Sequence, residues 1–321
     1  MMIRLIFSFS LALMAALFSP CALAQEAPGK TLCITVDDLP KGGVLGGEEH
    51  IYRINVDLLR TLSHYKVKAV GFVNESKCYD DDGEVIASQK QMLQAWVDAG
   101  MELGNHAYSH MDINRVSLQE FKEDVLRGDF LSEPLMAAAG GRVRYFRHPY
   151  LHRGDTEMKR QGLEQFLREH NYTEAPVTVD NEEWIYNAAY EKALKDGEDS
   201  LAASIGEHYV AYMLDMVSYY EQQSQGLFDR MIAQVLLIHV NSLNADYLAP
   251  LLKGLQEKGY RFITLEEALQ DPAYESADTF TGRAGITWLH RWAITRGVEP
   301  SFFAGEPSCP DWVKKRAGIL D

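Results

Sequence analysis

Two neighbouring carboxylates, Asp37 and Asp38, follow a mostly apolar run over residues 32–36, and Pro40 ends that run. The length and β-branched content of the run predict a buried strand with polar residues at its C-terminal end. Because side chains alternate between the two faces of a strand, both carboxylates can serve one site only where the strand ends. Active sites of α/β folds are usually built there. The alternative is an Asp-Asp pair in a surface turn.

Two histidines four residues apart, His106 and His110, follow the third strand-like run. On one helical turn they can face the same way, which suits a divalent metal. The zinc-protease motif needs Glu directly after the first His, and this chain has Ala107 there. With one carboxylate of Asp37 and Asp38, the histidines form a set with open coordination positions, as hydrolytic zinc requires.

A second pair, His148 and His152, has the same spacing. Pro149 lies between these two histidines and argues against a regular helical turn. We therefore rank this pair second as a metal site.

Three later strand-like runs also end in polar residues, which are Arg147, Asp180 and His239. An Arg at a strand end can pair with a carboxylate and hold it ionised. A lone His at the end of a buried strand is usually a core residue. Five successive strand ends that carry Asp, His, Arg, Asp and His instead predict one active-site rim.

Seven strand-like runs alternate with helix-like stretches, at residues 32–36, 67–73, 102–105, 143–146, 175–179, 235–239 and 260–263. This alternation predicts an α/β fold with a parallel sheet, and it favours a closed or nearly closed barrel. Capping-box sequences predict helix starts at Ser117 and Thr264. The helix that begins at Ser117 is predicted to continue to Ala139. No dinucleotide-binding glycine motif follows the first run, so residues 42–47 are predicted to form a flexible loop beside the site.

Two segments depart from the alternation. Residues 181–230 lack a strand pattern and predict a helical insertion before the sixth strand, packed through a Tyr- and Met-rich face. After Asp271 the chain predicts a helical cap that contains Trp288, His290 and Trp292. Burial of the two Trp against the barrel is favoured over exposed stacking on sugar rings.

The first 24 residues have a basic start, a short apolar core and an A-x-A site before Gln25. This pattern predicts a secretory signal peptide, not a membrane span, with a retained anchor as the alternative. The expected organisation is a signal peptide over residues 1–24, a barrel over 25–270 and a packed extension over 271–321. Export to the periplasm or outside follows, and the absence of a lipobox and of wall-anchoring signals favours the periplasm.

The formal net charge of −15 argues against a nucleic-acid partner, because phosphate binding needs clustered Lys and Arg. It fits a neutral or cationic substrate. Three cysteines follow the signal peptide, too few for a disulfide framework. A bridge between Cys78 and Cys309 stays open, and Cys33 is expected to be a buried apolar residue. The oligomeric state stays open as well.

In order and content, five motifs resemble those of the polysaccharide deacetylases, the metal-dependent deacetylases of carbohydrate esterase family four. The family patterns are T-F-D-D, H-(S/T)-x-x-H, R-x-P-Y, D-x-x-D-W and L-x-H. They are matched here by residues 35–38, 106–110, 147–150, 180–184 and 237–239. The resemblance spans roughly residues 31–265.

The resemblance implies a distorted (β/α)7 barrel that binds one divalent metal, usually zinc, with Co²⁺, Ni²⁺ or Mn²⁺ as alternatives. By the match, the metal ligands would be Asp38, His106 and His110. Asp37 would be the general base and His239 the general acid.

The resemblance also assigns supporting roles. Arg147 would orient the base and Asp180 the acid, and the backbone N–H of Tyr150 would help to hold the oxyanion. The implied activity is removal of acetyl groups from N-acetylated amino sugars in a glycan or oligosaccharide. An O-acetyl glycan esterase, a small-substrate amidase and a non-catalytic carbohydrate-binding protein are the alternatives.

Four residues depart from the family pattern. Ala107 replaces Ser or Thr after the first His, and Glu183 replaces the second Asp of the fourth motif. Leu151 and Val240 stand where Gly and Asp are frequent. None removes a predicted ligand, base or acid, but the walls of the substrate groove are built at these positions.

Overall fold

The computed structural model describes residues 29–320, so the predicted signal peptide lies outside the described residues. No helix within residues 29–320 is long and apolar enough to cross a membrane. The strands are β1 (Thr31–Leu39), β2 (Val70–Val73), β3 (Glu102–Asn105), β4 (Tyr145–Phe146), β5 (Thr173–Glu174), β6 (Gln234–His239) and β7 (Arg261–Phe262). The helices of the barrel body are α1 (Glu48–His64), α2 (Ala87–Asp98), α3 (Leu118–Leu126), α4 (Ser132–Ala138), α5 (Glu157–Glu169), α8 (Ser242–Glu257) and α9 (Leu265–Ala268). The remaining helices are α6 (Glu183–Lys195), α7 (Asp199–Phe228), α10 (Trp288–Thr295) and α11 (Asp311–Ala317).

All strands are parallel, in the order β5-β4-β3-β2-β1-β6, and β7 pairs with the start of β1. Strand β1 pairs with β2, β6 and β7, and its apolar residues, such as Ile34 and Val36, are fully buried. Its register with β6 pairs Asp37 with His239. Parallel strands deliver their carboxyl ends to one edge, so this register brings a carboxylate and an imidazole together there. The prediction of an α/β fold with a parallel sheet is confirmed, and the seven strands form a half-barrel sheet consistent with the predicted distorted (β/α)7 barrel.

The fifth strand is shorter than predicted and lies earlier in the chain. Residues 175–179 were expected to form it, but β5 contains only two residues, and Val179 makes an isolated bridge to Leu236. Ala175 N donates to Phe146 O of β4, whereas Leu237 N of β6 donates to Val179 O. The segment therefore crosses from one neighbour to the other, and this crossing leaves no room for a long ladder with either.

The helix predicted from Ser117 to Ala139 is two helices, α3 and α4. The capping box at Ser117 is present. The break has a physical cause in the buried carboxylate of Glu75, which accepts the N–H groups of Leu131 and Ser132 at the start of α4. Gly128 also lies against the Asn105 side chain, where a Cβ would be 2.5 Å from Oδ1.

The insertion and the extension are helical, as predicted. Helices α6 and α7 form the insertion, with Tyr209 and Met213 fully buried. In the extension, Trp288 and Trp292 are buried, which confirms the favoured use of these residues. All three described cysteines are buried and free, so the bridge between Cys78 and Cys309 is not formed.

Candidate active site

Asp38, His106 and His110 come together at the ends of β1 and β3. Their candidate ligand atoms all lie within 4.8 Å of one another, and no other group of metal-ligand type is found within residues 29–320. Asp38 Oδ1 is buried, and no donor among these residues reaches it with hydrogen-bond geometry. Lys77 Nζ lies 3.1 Å from this oxygen as an ion pair, and two imidazoles with one carboxylate are a donor set that suits a divalent cation. The residues present therefore fit a divalent metal.

The imidazole of His106 is oriented by the backbone. Its Nδ1 lies 2.9 Å from Arg147 O, so Nδ1 carries the proton and the Nε2 lone pair faces the cluster. Burial lowers the pKa of His106 well below its ordinary value. The imidazole is therefore neutral, as metal coordination requires.

Left-handed backbone is concentrated at this site. Among residues 29–320, eight non-glycine residues have positive φ, and five of them are Asp38, Ala107, His110, Tyr150 and Leu151. Such conformations are unfavourable for L-residues and persist where the surrounding structure enforces them. Local backbone turns therefore aim the ligand side chains.

Asp37 lies beside the cluster and is 2% exposed. Its Oδ2 is 3.8 Å from Arg147 Nη1 and 3.7 Å from His106 Nε2. Arg147 is itself held by Thr35, whose Oγ1 accepts from Nη2 at 2.8 Å. Burial raises the pKa of Asp37 to about 6, although Arg147 opposes the rise. A carboxylate with such a pKa can exchange a proton near neutral pH.

Asp38 differs from its neighbour in electrostatic environment. Burial would raise the pKa of Asp38, but Lys77 and the histidines around it outweigh burial and hold that pKa below its ordinary value. Lys77 Nζ lies 3.1 Å from Asp38 Oδ1. The two adjacent carboxyls therefore separate into an ionised group and one that titrates near neutrality.

His239 is paired with Glu183 and not, as predicted, with Asp180. The distance from His239 Nδ1 to Glu183 Oε2 is 2.6 Å. Burial disfavours the cationic imidazole, but Glu183 outweighs burial and raises the pKa of His239 to about 9. Glu183 is fully buried and also accepts hydrogen bonds from Asn241 and Asn244. Its side chain is thereby held toward His239.

Glu183, and not Asp180, reaches His239 because of the residue at which α6 begins. Glu183 is the first residue of this helix, so its side chain leans back toward the helix N-terminus and β6. Asp180 lies before the helix and lines the cavity, and burial raises its pKa to about 6.

The predicted residues share one cavity of about 460 Å³. Its lining includes every predicted site residue except Arg147, namely Asp37, Asp38, His106, His110, Tyr150, Asp180 and His239. Arg147 is fully buried behind Asp37. The site residues chosen from the sequence are therefore brought together, and their roles stay predictions.

The second histidine pair does not form a metal set. His148 Nε2 lies 2.7 Å from Glu174 Oε1, whereas His152 Nδ1 lies 2.8 Å from Asp112 Oδ1. The two imidazoles bind different carboxylates, in keeping with the lower rank given to this pair.

Sequence reasoning missed three residues of the site. Lys77 neutralises part of the charge of Asp38, and Thr35 holds Arg147. Gly285 of the extension lines the cavity, and a Cβ there would collide with the carbonyl oxygen of Tyr150. Thr35 lies inside the first motif and could have been considered. No local pattern marks Lys77 or Gly285.

Comparison with known proteins agrees with the first three motifs, at residues 35–38, 106–110 and 147–150. The model of the family described as polysaccharide deacetylase matches residues 24–166. A bifunctional xylanase/deacetylase from Pseudobutyrivibrio xylanivorans is 21% identical over 244 residues, which cover 75% of this chain and 31% of that protein. This chain thus spans about a third of the length of that relative. These matches support the predicted family, with the family model covering residues 24–166.

Several solved structures are also similar to this chain. A family 4 carbohydrate esterase from Streptomyces lividans, in complex with acetate, is 19% identical, with 75% of this chain and 96% of that chain covered and a TM-score of 0.46. A polysaccharide deacetylase from Bacillus cereus is 20% identical, with 73% and 91% covered and a TM-score of 0.49. A family 4 pseudoenzyme from Bacillus anthracis is 17% identical, with 76% and 66% covered and a TM-score of 0.46.

Proposed function

We propose that this protein is a metal-dependent hydrolase that removes acetyl groups from N-acetylated amino sugars in a glycan or oligosaccharide. One observation carries the proposal. Asp37 and His239 are register partners at the mouth of β1 and β6, and they share one cavity with the Asp38, His106 and His110 cluster. A base, an acid and a metal set thus face one space, as amide hydrolysis requires. The family match supports an acetylated glycan as substrate.

Asp38, His106 and His110 would hold the metal, for which two imidazoles and one carboxylate favour zinc, with Co²⁺, Ni²⁺ or Mn²⁺ as alternatives. When bound there, the metal would supply Lewis-acid chemistry that acidifies water and polarises a carbonyl.

Asp37 would accept the proton of the attacking water. Its carboxylate is not a member of the metal-ligand cluster, and the Arg147 guanidinium lies 3.8 Å from Oδ2. Arg147 is fixed in turn by Thr35. Asp37 therefore stays oriented toward the cavity while its protonation changes.

His239 would donate the proton to the departing nitrogen. With a pKa of about 9, the imidazole is cationic at neutral pH. An amine leaves as an anion unless it is protonated, so this donor matters more for an amide than for an ester. Glu183 stabilises the cation through its 2.6 Å hydrogen bond to Nδ1.

The backbone N–H of Tyr150 would help to stabilise the tetrahedral oxyanion. Tyr150 lines the cavity and has left-handed backbone, with φ 57° and ψ 14°. A donor held in a fixed backbone conformation stabilises developing charge without reorganising.

The test compares acetate release from N-acetylated and O-acetylated glycans by the wild-type protein and by Glu183→Gln. We expect the wild-type protein to release acetate from the N-acetylated substrate. Glu183→Gln should lower this rate more than it lowers the rate on the O-acetylated substrate. Faster O-acetyl release that Glu183→Gln leaves unchanged would establish an esterase instead. Glycan binding without acetate release above that of Asp37→Ala would establish a binding protein.

A further inference from the structure

A second cleft, here called the side cleft, opens from the active-site cavity. It shares Asp38, Trp184 and His239 with that cavity and has a volume of about 450 Å³. Its outer wall is built by Val44, of the loop over residues 42–47, and by Ile319, just after α11. Neither residue belongs to a strand of the barrel or to one of the five motifs.

The loop side of the side cleft is anchored, so the flexible loop predicted for residues 42–47 is wrong at this point. The buried carboxylate of Glu191 accepts from Val44 N at 2.7 Å and Leu45 N at 2.9 Å. Its other oxygen accepts from Ser242 Oγ at 2.7 Å. Three donors on one buried carboxylate fix the backbone. The Val44 side chain nevertheless remains 77% exposed.

The helix side of the side cleft is also fixed. Gly318 has φ 80° and ends α11, Ile319 N donates to Lys314 O, and Gly318 N donates to Lys315 O. These two bonds form a Schellman motif, which defines where Ile319 lies. Arg316 further ties α11 to the insertion through Asp196 and Glu198. Ile319 is 44% exposed.

Exposed apolar side chains therefore converge on a cleft whose walls are held in place. Val44, Trp184 and Ile319 come from three separate segments and are all among the exposed large hydrophobic residues. Asp38 and His239 supply polar groups where the side cleft joins the cavity, whereas the amides of Asn187 and Asn241 are buried behind the lining. Apolar surface with a few polar groups, next to a catalytic centre, is typical of a ligand subsite.

We propose that the side cleft binds the sugar ring next to the acetylated residue of the substrate. A sugar ring has an apolar face that can pack on the Trp184 ring and on Val44 and Ile319, while its hydroxyl rim faces water. The continuity of the side cleft with the metal cluster places this ring one unit from the reacting acetamide. The inference rests on the proposed function, which supplies the glycan.

The test uses the full chain loaded with zinc, with the monomer and the tetramer of N-acetylglucosamine as substrates. We expect Ile319→Ser to lower the ratio of kcat/KM for the tetramer to that for the monomer by about fivefold, because apolar contact area with the second ring is lost. Most of the change should lie in KM. Val44→Ser should act in the same direction. Leu320→Ser is the matched control, since Leu320 is 41% exposed but lies outside the side cleft.

A ratio that is unchanged in both Ile319→Ser and Val44→Ser, while acetate is released, would overturn the side-cleft proposal and leave the deacetylase function standing. Calorimetric titration of the tetramer into zinc-loaded protein gives a readout independent of turnover. A Kd that rises in Ile319→Ser, in a protein that releases no acetate, would support the side cleft and overturn the proposed function. Absence of both binding and release would overturn both.

Discussion

The two halves of the candidate site are held by different physical means. The metal half contains Asp38, His106 and His110, and two of its three members have left-handed backbone. The acid half contains His239 and Glu183, whose side chains are held by hydrogen bonds from outside the barrel strands. Backbone turns after strands fix the first half, and helix α6 of the insertion fixes the second.

This difference indicates which half depends on the insertion. The metal half takes its ligands from β1, β3 and the turns after them, and His106 is oriented by the carbonyl of Arg147 just after β4. The acid half needs the first residue of α6 to meet the last residue of β6. Changes in the first half should therefore remove the metal, whereas changes in the second should leave it bound and shift proton transfer.

The largest expected effect is the loss of a ligand. His110→Ala should no longer bind one metal per chain, and its acetate release should fall by more than about 100-fold. Changes to residues that only support metal ligands typically cost less activity than this. Metal content by elemental analysis and activity should fall together. His152→Ala is the matched control, because its imidazole binds Asp112 outside the cluster. Full metal content in His110→Ala would remove this residue from the ligand set.

The next effect separates the two adjacent carboxylates. Asp37→Asn should keep the metal and lower kcat by about 10²–10⁴-fold, the range for loss of a general base. Metal content and steady-state kinetics on the same preparation provide the check. Loss of metal in Asp37→Asn would show that Asp37, and not Asp38 alone, coordinates it.

A smaller effect is expected where Gly285 of the extension contacts Tyr150. Gly285→Ala places a Cβ against the Tyr150 carbonyl, so the Tyr150 turn must move. We expect kcat to fall by about tenfold or more, because small displacements of catalytic groups lower the rate strongly. Metal content should not change. Gly46→Ala is a suitable control, because its Cβ would meet only the end of Lys41 at 3.4 Å. Unaltered kcat in Gly285→Ala would exclude Tyr150 as an oxyanion donor.

The smallest effect at neutral pH concerns the acid half, and it appears as a change in pH dependence. Burial opposes the cationic imidazole, but Glu183, with Asp38 and Asp37, raises the pKa of His239 to about 9, so the alkaline loss of wild-type activity should come as pH rises through about 9. Removing the negative charge in Glu183→Gln lowers that pKa, and the alkaline limb of kcat/KM should move to lower pH. Asp180→Asn should move the limb less, because Asp180 makes no hydrogen bond to His239 among the bonds of the described residues. If Asp180→Asn moved the alkaline limb further than Glu183→Gln, Asp180 and not Glu183 would be the partner of His239.

The metal half could be predicted from the sequence because its signals are local. A carboxylate pair after an apolar run and two histidines four apart are visible without tertiary information. The parallel sheet followed from the strand-helix alternation for the same reason. Its fifth strand was misplaced, because residues 173–179 divide their hydrogen bonds between two neighbours.

The remaining features depend on contacts between distant segments. Whether Asp180 or Glu183 turns to His239 depends on the residue at which α6 begins, and helix boundaries are poorly determined by local pattern. The contact of Gly285 with Tyr150 and the meeting of Val44 with Ile319 join residues far apart in the chain. No periodicity marks such contacts.

The most direct test of the central claim is acetate release from N-acetylglucosamine oligomers by metal-stripped protein, titrated with zinc. If the two halves form one deacetylase site, release should rise with added zinc and saturate at one equivalent per chain, and His110→Ala should show no such rise. Saturable binding of one zinc without acetate release would contradict the deacetylase function while keeping the metal cluster. Release that is independent of zinc would contradict the account of the site.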